Sequence, residues 1–467
     1  MRKYNLLIAV FFFLGTTITN AQIGLVYGFS DTTNAPSGPV IQSGGTLYGV
    51  IGAGGPFQKG SIYSVDSSGA NYNELFYFIG GNGTRPQGSL VLSGNTLFGI
   101  TELGGSRGYG CIFSVSTDGR RFVDMHDFLG PDGMNPCAGL TLSGTVLYGM
   151  TEYGGAHTGG VIFSIDTDGT GYTDMLDLDF TTGNGPIGPL TFENGLLYGE
   201  TNSGAANSYG CIFCIKTDGT GFRDLYDFNP KSDTIYSNNG YLTPLRNKLY
   251  GMTNEGGAGY GSVFSIDTNG SAFTNVCNFP SPYVVIPEGA LTLAGNVFFG
   301  ASSDGGARSY GSIFSVDTAG GGFRNIYEFD GWYGAHVTGS LLLLKDKLYG
   351  TAGAGGPQGS GSLFRYDTNK TTGISQLATT QGSINVYPNP GSGIFQLGIS
   401  HAELVSASQP IIEVYNALGQ KVFVETLKQV QGDNAINLSN QPNGIYLYRV
   451  LSESGNLVGT GKIEIQK

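Results

Sequence analysis

The sequence predicts an all-β protein: a seven-bladed β-propeller closed by its own N-terminal strand, then a small C-terminal Ig-like β-sandwich. Three observations carry that expectation. A Leu-Tyr-Gly phrase recurs with its glycine at Gly49, Gly99, Gly149, Gly199, Gly251, Gly300 and Gly350, at spacings of 50, 50, 50, 52, 49 and 50 residues. Such a period marks a repeat architecture. Each unit holds four short apolar stretches separated by turn residues, which read as four strands. Stretches such as "CIFSVS", Cys111 to Ser116, are apolar on both faces, so each small sheet needs a cover on either side. Radial stacking in a ring supplies it.

The N-terminus reads first as an address. Arg2 and Lys3 precede an apolar run from Leu6 to Leu14, and Thr19-Asn20-Ala21 offers a small-residue cleavage site. This pattern is a signal peptide, residues 1–21, too short to span a bilayer. No cysteine follows the cleavage site and no other stretch is a membrane-helix candidate. The mature chain is expected to be exported, with no transmembrane segment.

The second full unit shows the blade. "GSLVLSG", Gly88 to Gly94, is the first strand, "TLFGIT", Thr96 to Thr101, the second, "CIFSVS" the third and "FVDMHDF", Phe122 to Phe128, the fourth. Asp118-Gly119 between the last two is a tight hairpin signal. Seven first, second and third strands can be counted, the last third strand being Leu363 to Asp367, but only six fourth strands follow a third. The seventh is "GLVYGF", Gly24 to Phe29, at the opposite end of the chain. The predicted propeller therefore runs over 22–368. A polar linker, 369–383, separates it from an alternating β pattern over 384–467 that predicts the sandwich.

Composition narrows the function. The 467 residues include 79 glycines, 28 Phe and 27 Tyr, with only 12% charged. Glycine costs about 1 kcal/mol relative to alanine in a helix interior, which argues against a helical fold, and the aromatic content argues against disorder. A net charge of -12 without any basic cluster excludes nucleic acid as a partner.

In an up-down blade the second-to-third-strand loops and the blade-to-blade loops share one face. That face carries the long, variable segments: Gly81 to Gln87, Pro230 to Gly240, Pro280 to Gly289 and Asp330 to Gly339. Variable loops on a rigid scaffold are where binding resides. The only tryptophan, Trp332, lies there beside Tyr333, with His336 nearby, and Arg85, Arg107 and Arg308 share the face. The aromatic pair suits stacking on a sugar ring or a partner's flat surface, or capping of a blade junction.

Other motifs resolve to structure. Cys111, Cys211 and Cys214 occupy positions held elsewhere by small residues, and the lone Cys211-x-x-Cys214 places its side chains on opposite faces of a strand. No metal and no cofactor are expected. Gly104 to Gly108 fits G-x-S-x-G by letter but lacks the strand-to-helix turn of a nucleophile elbow. Asp168 in "SIDTDGTGY" resembles a calcium loop or an Asp box, yet sister turns carry Ser68, Asn269 and Ala319, so hairpin chemistry explains it. The four histidines, His126, His157, His336 and His401, have no metal-ligand spacing.

The strand order resembles kelch propellers. More closely, "LYGMTNEGGAGYGSVFSIDTNG" resembles the GloVer-type bacterial tandem repeat over about residues 23–368, a family of exported surface proteins without a defined activity. At the C-terminus, Tyr387-Pro388-Asn389-Pro390, Gly393-Ile394-Phe395, Asn416 to Gln420 with Gly419, and Gly444-Ile445-Tyr446 resemble the type A sorting domain of the type IX secretion system. That resemblance implies the secretion machinery as partner and an extracellular or cell-surface destination. Three readings of the propeller stay open: a binding or adhesion module for a glycan or surface protein, an extracellular carbohydrate-active enzyme, or a structural protein without a dedicated ligand.

Overall fold

A computed structural model describes residues 22–30, 35–229, 240–254, 260–280, 283–368, 384–387, 389–399, 411–416, 420–426, 435–451 and 457–467. The expected leader, the linker, His401, Pro388 and Gly419 of the sorting motifs, and most of the loop from Pro230 lie outside them. Among the described residues all regular structure is β-strand. The chain divides into two units near residue 371.

Among the described residues the first unit holds seven antiparallel sheets, five of four strands and two of five, arranged as a propeller-like repeat. In the second sheet Thr84–Ser93, Thr96–Leu103, Cys111–Ser116 and Phe122–Asp127 pair in sequence order. Its first strand begins earlier than expected, because Pro86 and Gln87 already pair with Thr101 and Ile100 before a register shift leads to Val91 opposite Phe98. The shift falls at Gly88, where the strand meets the third sheet. There φ is +68°, and a side chain would collide with the Ala138 carbonyl, so only glycine allows the approach. The repeated Leu-Tyr-Gly phrase has a packing reason too: at Gly99 an added Cβ would strike the Phe113 ring.

The double-faced strands are buried as their pattern requires, Cys111 to Val115 without exception. Tyr48, Val50, Ile62 and Phe78 of the first sheet pack on Leu90, Leu97, Phe113 and Val115 of the second. Equivalent clusters join each later pair of neighbours. One more cluster brings Val26, Phe29, Tyr349 and Leu363 of the seventh sheet against Val40, Leu47, Tyr63 and Val65 of the first. The N-terminal strand Ile23–Gly28 pairs with Ser362–Asp367, from Ile23 opposite Tyr366 to Gly28 opposite Ser362.

The second unit has two sheets. Ile384–Tyr387, Ile394–Ile399 and Ala435–Asn437 form one, and Lys421–Thr426, Ile411–Tyr415, Gly444–Leu451 and Leu457–Ile465 the other. Phe395, Ile436, Ile412, Val414, Tyr446 and Ile463 share the core between them.

Candidate functional site

Antiparallel order puts the second-to-third-strand loops and the sheet-to-sheet segments at one end of every sheet, and the tight hairpins at the other. The hairpins are polar and self-contained. Asp168, the Asp-box look-alike, accepts hydrogen bonds from Thr170 N–H at 2.9 Å and Thr170 Oγ1 at 2.6 Å, and these hold its carboxyl below the usual range. The long-loop end is different. Among the described residues of the repeat unit, eleven of the thirteen exposed large apolar side chains lie there, Val123 and Phe192 being the others.

That end also holds a cavity of about 440 Å³ lined by Arg85, Gln87, Glu288, Ser303, His336 and Thr338, with Ser37 from the first sheet. The lining side chains come in pairs two residues apart on first strands, as in Arg85-Pro86-Gln87 and His336-Val337-Thr338. Arg85 and His336 sit in the left-handed region at φ +55° and +57°, uncommon for side-chain-bearing residues. Each is tied by its N–H to the preceding sheet, Arg85 to Lys59 O at 3.1 Å and His336 to Tyr310 O at 2.9 Å.

The polar side chains of the cavity have partners close by. Arg85 Nη1 lies 3.3 Å from Glu102 Oε1, and Gln87 donates to the other oxygen of Glu102. His336 Nδ1 is 2.9 Å from Ser303 O and 3.4 Å from Asp304 Oδ1. Burial, opposed in part by a hydrogen bond from Ser303 and aided by the Asp304 charge, pushes the Glu288 carboxyl up to about 7.

Of the six residues expected to bind, Arg85 and His336 meet in this cavity. Trp332 stands 63% exposed, its N–H held by Asp330 Oδ1 at 2.9 Å. Tyr333 turns away from it and packs with the core of the sixth and seventh sheets, so the two rings form no platform. Arg107 and Arg308 are exposed on glycine-loop tips. The aromatic neighbour that the sequence reading missed is Tyr310, whose ring lies under Gly331 and edge-on to His336 at 6.2 Å. Its signal was a repeated one, since Tyr109, Tyr209 and Tyr260 hold the same loop position.

The Cys111, Asp124 and Asp127 ligand atoms lie within 4.8 Å of one another. Burial pushes the Cys111 thiol up to about 12 and Asp124 up to about 6, which disfavours the thiolate a metal needs. Asp127 is a loop clasp, accepting Ser106 N–H at 3.0 Å. The clasp recurs as Ala156 N–H to Asp177 at 2.7 Å, Ala206 N–H to Asp227 at 2.8 Å and Ala307 N–H to Glu328 at 2.9 Å. Ser106 of the G-x-S-x-G match is part of that loop. Cys211 and Cys214 face opposite neighbours, one in the cluster with the third sheet and the other with the fifth, and all five cysteines are free.

In the second unit Asn389 grips the last strand, donating from Nδ2 to Lys462 O at 2.6 Å and accepting Glu464 N–H at 2.8 Å. Pro390 beside it is exposed. Tyr446 is buried and donates from its hydroxyl to Pro442 O at 2.9 Å, just after Gly444, which has φ +151°. Tyr387 lies on the edge strand Ile384–Tyr387.

Residues 35–259 and 236–398 match the Gloeobacter/Verrucomicrobia repeat. The chain belongs to that repeat family. Residues 385–466 match the secretion system C-terminal sorting domain, so this family member is handled by the type IX machinery and exported across the outer membrane to the cell surface or the extracellular space. No curated protein matches the sequence. Among solved structures, PorZ of Porphyromonas gingivalis, an essential surface component of its type IX secretion system, is 13% identical with a TM-score of 0.47, over 92% of this chain and 59% of PorZ. A puromycin-hydrolysing peptidase from Mycobacterium tuberculosis is 10% identical with a TM-score of 0.50, over 92% of this chain and 61% of its own. Oligogalacturonate lyase from Vibrio parahaemolyticus is 9% identical with a TM-score of 0.42, over 74% and 94%. The chain thus spans about three fifths of PorZ and of the peptidase, and the likeness to the peptidase is one of fold alone. No helix among the described residues is long and apolar enough to cross a membrane.

Proposed function

We propose that the repeat unit is a closed seven-bladed propeller, released from a signal peptide at residue 21, that serves as a binding module outside the cell and takes glycan at its long-loop end. Ring closure is supported by the pairing of Ile23–Gly28 with Ser362–Asp367 and by a cavity whose lining comes from the first, second, sixth and seventh sheets. The observation that carries the binding reading is the difference between the two ends: polar hairpins at one, exposed Trp332, Tyr310, Phe180, Leu129 and Ile79 at the other. Large apolar side chains gathered on one face of a soluble scaffold mark an interaction surface, and aromatic rings with polar neighbours suit the apolar faces and hydroxyl edges of sugars.

The test is a glycan-array screen of the full chain beside Trp332→Ala and Tyr310→Ala. Binding should fall at least about tenfold in either variant, since anchor aromatics cost about 2 kcal/mol or more when truncated. Equal binding by all three proteins, or by none, would sink the glycan reading, and none would turn attention to a protein partner. A second reading, an extracellular carbohydrate-active enzyme, is favoured by Glu288 and His336 lining one cavity, with Asp304 3.4 Å from the His336 ring. Release of reducing sugar from a polysaccharide panel, abolished by Glu288→Gln, would establish it.

A further inference from the structure

Most hydrogens of the long-loop cavity are already spent inside the protein. Ser37 Oγ donates to Pro86 O at 2.8 Å. Thr338 Oγ1 donates to Thr351 Oγ1 at 3.0 Å, a direction fixed because Thr351 gives its own hydrogen to Gly38 O at 2.8 Å. Ser303 Oγ has one hydrogen for two acceptors, Ile286 O at 3.3 Å and the Glu288 carboxyl. Gln87 Nε2 donates to Glu102. His336 Nδ1 must donate to Ser303 O at 2.9 Å, because a carbonyl has no hydrogen to give. What stays open is mainly lone pairs: those of Gln87 Oε1, Thr338 Oγ1, the Glu288 carboxylate and, in the neutral ring, His336 Nε2. Arg85 keeps further N–H groups, but its side chain is 57% exposed and water meets them. Charge points the same way. The two lining side chains able to carry positive charge lie against other carboxylates, Arg85 with Glu102 at 3.3 Å and His336 with Asp304 at 3.4 Å. Among the described residues no cation pairs with Glu288.

We infer that the cavity is a subsite for a hexosamine unit with a free amine, its ammonium group held by Glu288 and its hydroxyls donating to Gln87 Oε1 and Thr338 Oγ1. This rests on the glycan-binding reading and names the sugar class that the cavity takes. An ammonium carries three donors and no acceptor, the complement of a cavity left with lone pairs. It also brings the counter-charge that Glu288 lacks. N-acetylation replaces that ammonium with a neutral amide whose carbonyl needs a donor, and a uronate would set its carboxylate near Glu102, Glu288 and Asp304. The cavity of about 440 Å³ sits toward the lower end of the roughly 300–1,000 Å³ range of small-ligand pockets, which suits one sugar unit.

The experiment is saturation-transfer NMR and calorimetry on the full chain, at a pH where the sugar amine carries its proton. The probes are the methyl glycosides of glucosamine and galactosamine, each beside its N-acetylated and its hydroxyl counterpart, with Nα-acetyl-lysine amide as an ammonium that is not a sugar. At least one free-amine sugar should bind saturably, about tenfold or more tightly than both of its counterparts, the factor a hydrogen bond to a charged group supplies. Glu288→Gln should abolish that preference, and Gln87→Leu should weaken the free-amine sugar about threefold or more. Asp168→Asn removes a carboxylate at the hairpin end and should change no affinity, which separates the site from general attraction to an acidic chain. Thermal melts recorded alongside check that the variants fold, and the wild-type preference is read without any variant. Equal affinity for the amine, N-acetyl and hydroxyl forms, no binding by any of them, or a preference that survives Glu288→Gln overturns the inference. Equal binding by the lysine amide overturns it too, since the cavity would then read an ammonium and no sugar. The glycan-binding reading is scored separately on the array: glycans bound there without an amine preference here leave that reading standing while the subsite falls, and a blank array with no single unit bound removes both.

Discussion

The second and seventh sheets make nearly the same contacts from very different stretches of chain. The second is continuous from Thr84 to Asp127, whereas the seventh joins Ala335 to Asp367 with a strand that begins at Ile23. Phe128 N–H donates to Gly110 O at 3.1 Å, and Phe29 N–H donates to Gly361 O at 3.0 Å, the equivalent bond at the seam. His126 stacks on Tyr172 at 3.8 Å and Phe76 on Phe122 at 3.8 Å; Tyr27 stacks on Tyr72 at 4.1 Å in the same way. What differs is closure. A fourth strand that follows its partner after a tight turn closes a loop of a few residues, while the seam closes more than 300, which costs about 3–4 kcal/mol more in chain entropy. Equal contacts therefore leave the pairing of Ile23–Gly28 with Ser362–Asp367 as the one that opens first.

That comparison can be broken outright by deleting residues 22–29. The third strand Ser362–Asp367 then loses one of its two partner strands, and the core cluster shared with the first sheet loses Val26 and Phe29. The expected cost exceeds about 5 kcal/mol, more than a single buried-ring truncation, measured as loss of the cooperative urea transition. A retained transition at the wild-type midpoint would show that the strand does not close the ring in solution.

Phe29→Ala against Phe128→Ala sharpens it. Both rings are 0% exposed, so each should cost about 3–5 kcal/mol at equilibrium. Only Phe29→Ala should also accelerate proteolysis at the seam. A loss below about 1 kcal/mol for Phe29 alone would mean that the seam is not packed as the second sheet is.

Glu288 lines the cavity that residues of the first, second, sixth and seventh sheets share. Its carboxyl, pushed up to about 7 by burial, holds its proton more tightly folded than unfolded. Stability should therefore be highest below the ordinary carboxylate range and fall as pH rises through about 7, by roughly 1–3 kcal/mol in all. Glu288→Gln should flatten that slope in thermal melts at pH 4.5 to 8, and an unchanged slope would place the titration elsewhere.

The smallest effect belongs to the stacks. Tyr27→Leu and Phe76→Leu each keep most apolar burial while removing a ring pair, and should cost about 0.5–1.5 kcal/mol apiece. Unequal values would locate strain at the seam that the matching geometry hides.

Much of the fold was legible because the repeat states each strand seven times. The expected third strand Cys111–Ser116 is the observed one, and the N-terminal strand is displaced by one residue, Ile23–Gly28 in place of Gly24–Phe29. The first strands were harder, since Thr84 to Gln87 reads as loop and pairs only because Gly88 lets the chain shift register. The site was half legible. Arg85 and His336 stood out as polar loop residues, but Gln87 and Glu288 lie inside strands, where a polar side chain carries no mark of facing a cavity. Tyr333 shows the converse: adjacent to Trp332 in sequence, it packs against the core of the sixth and seventh sheets while Trp332 stays exposed in the same bend.

By itself, then, the sequence determined the all-β class, the repeat family, the N-terminal strand that pairs with the last third strand and the sorting address, because each is written in local pattern or in short contiguous motifs. Only the tertiary structure decided which side chains share a cavity. Arg85 and His336 are 251 residues apart in the sequence, and what brings them together is the packing of the first, second, sixth and seventh sheets about one cavity, a property of the assembled unit that no single repeat contains.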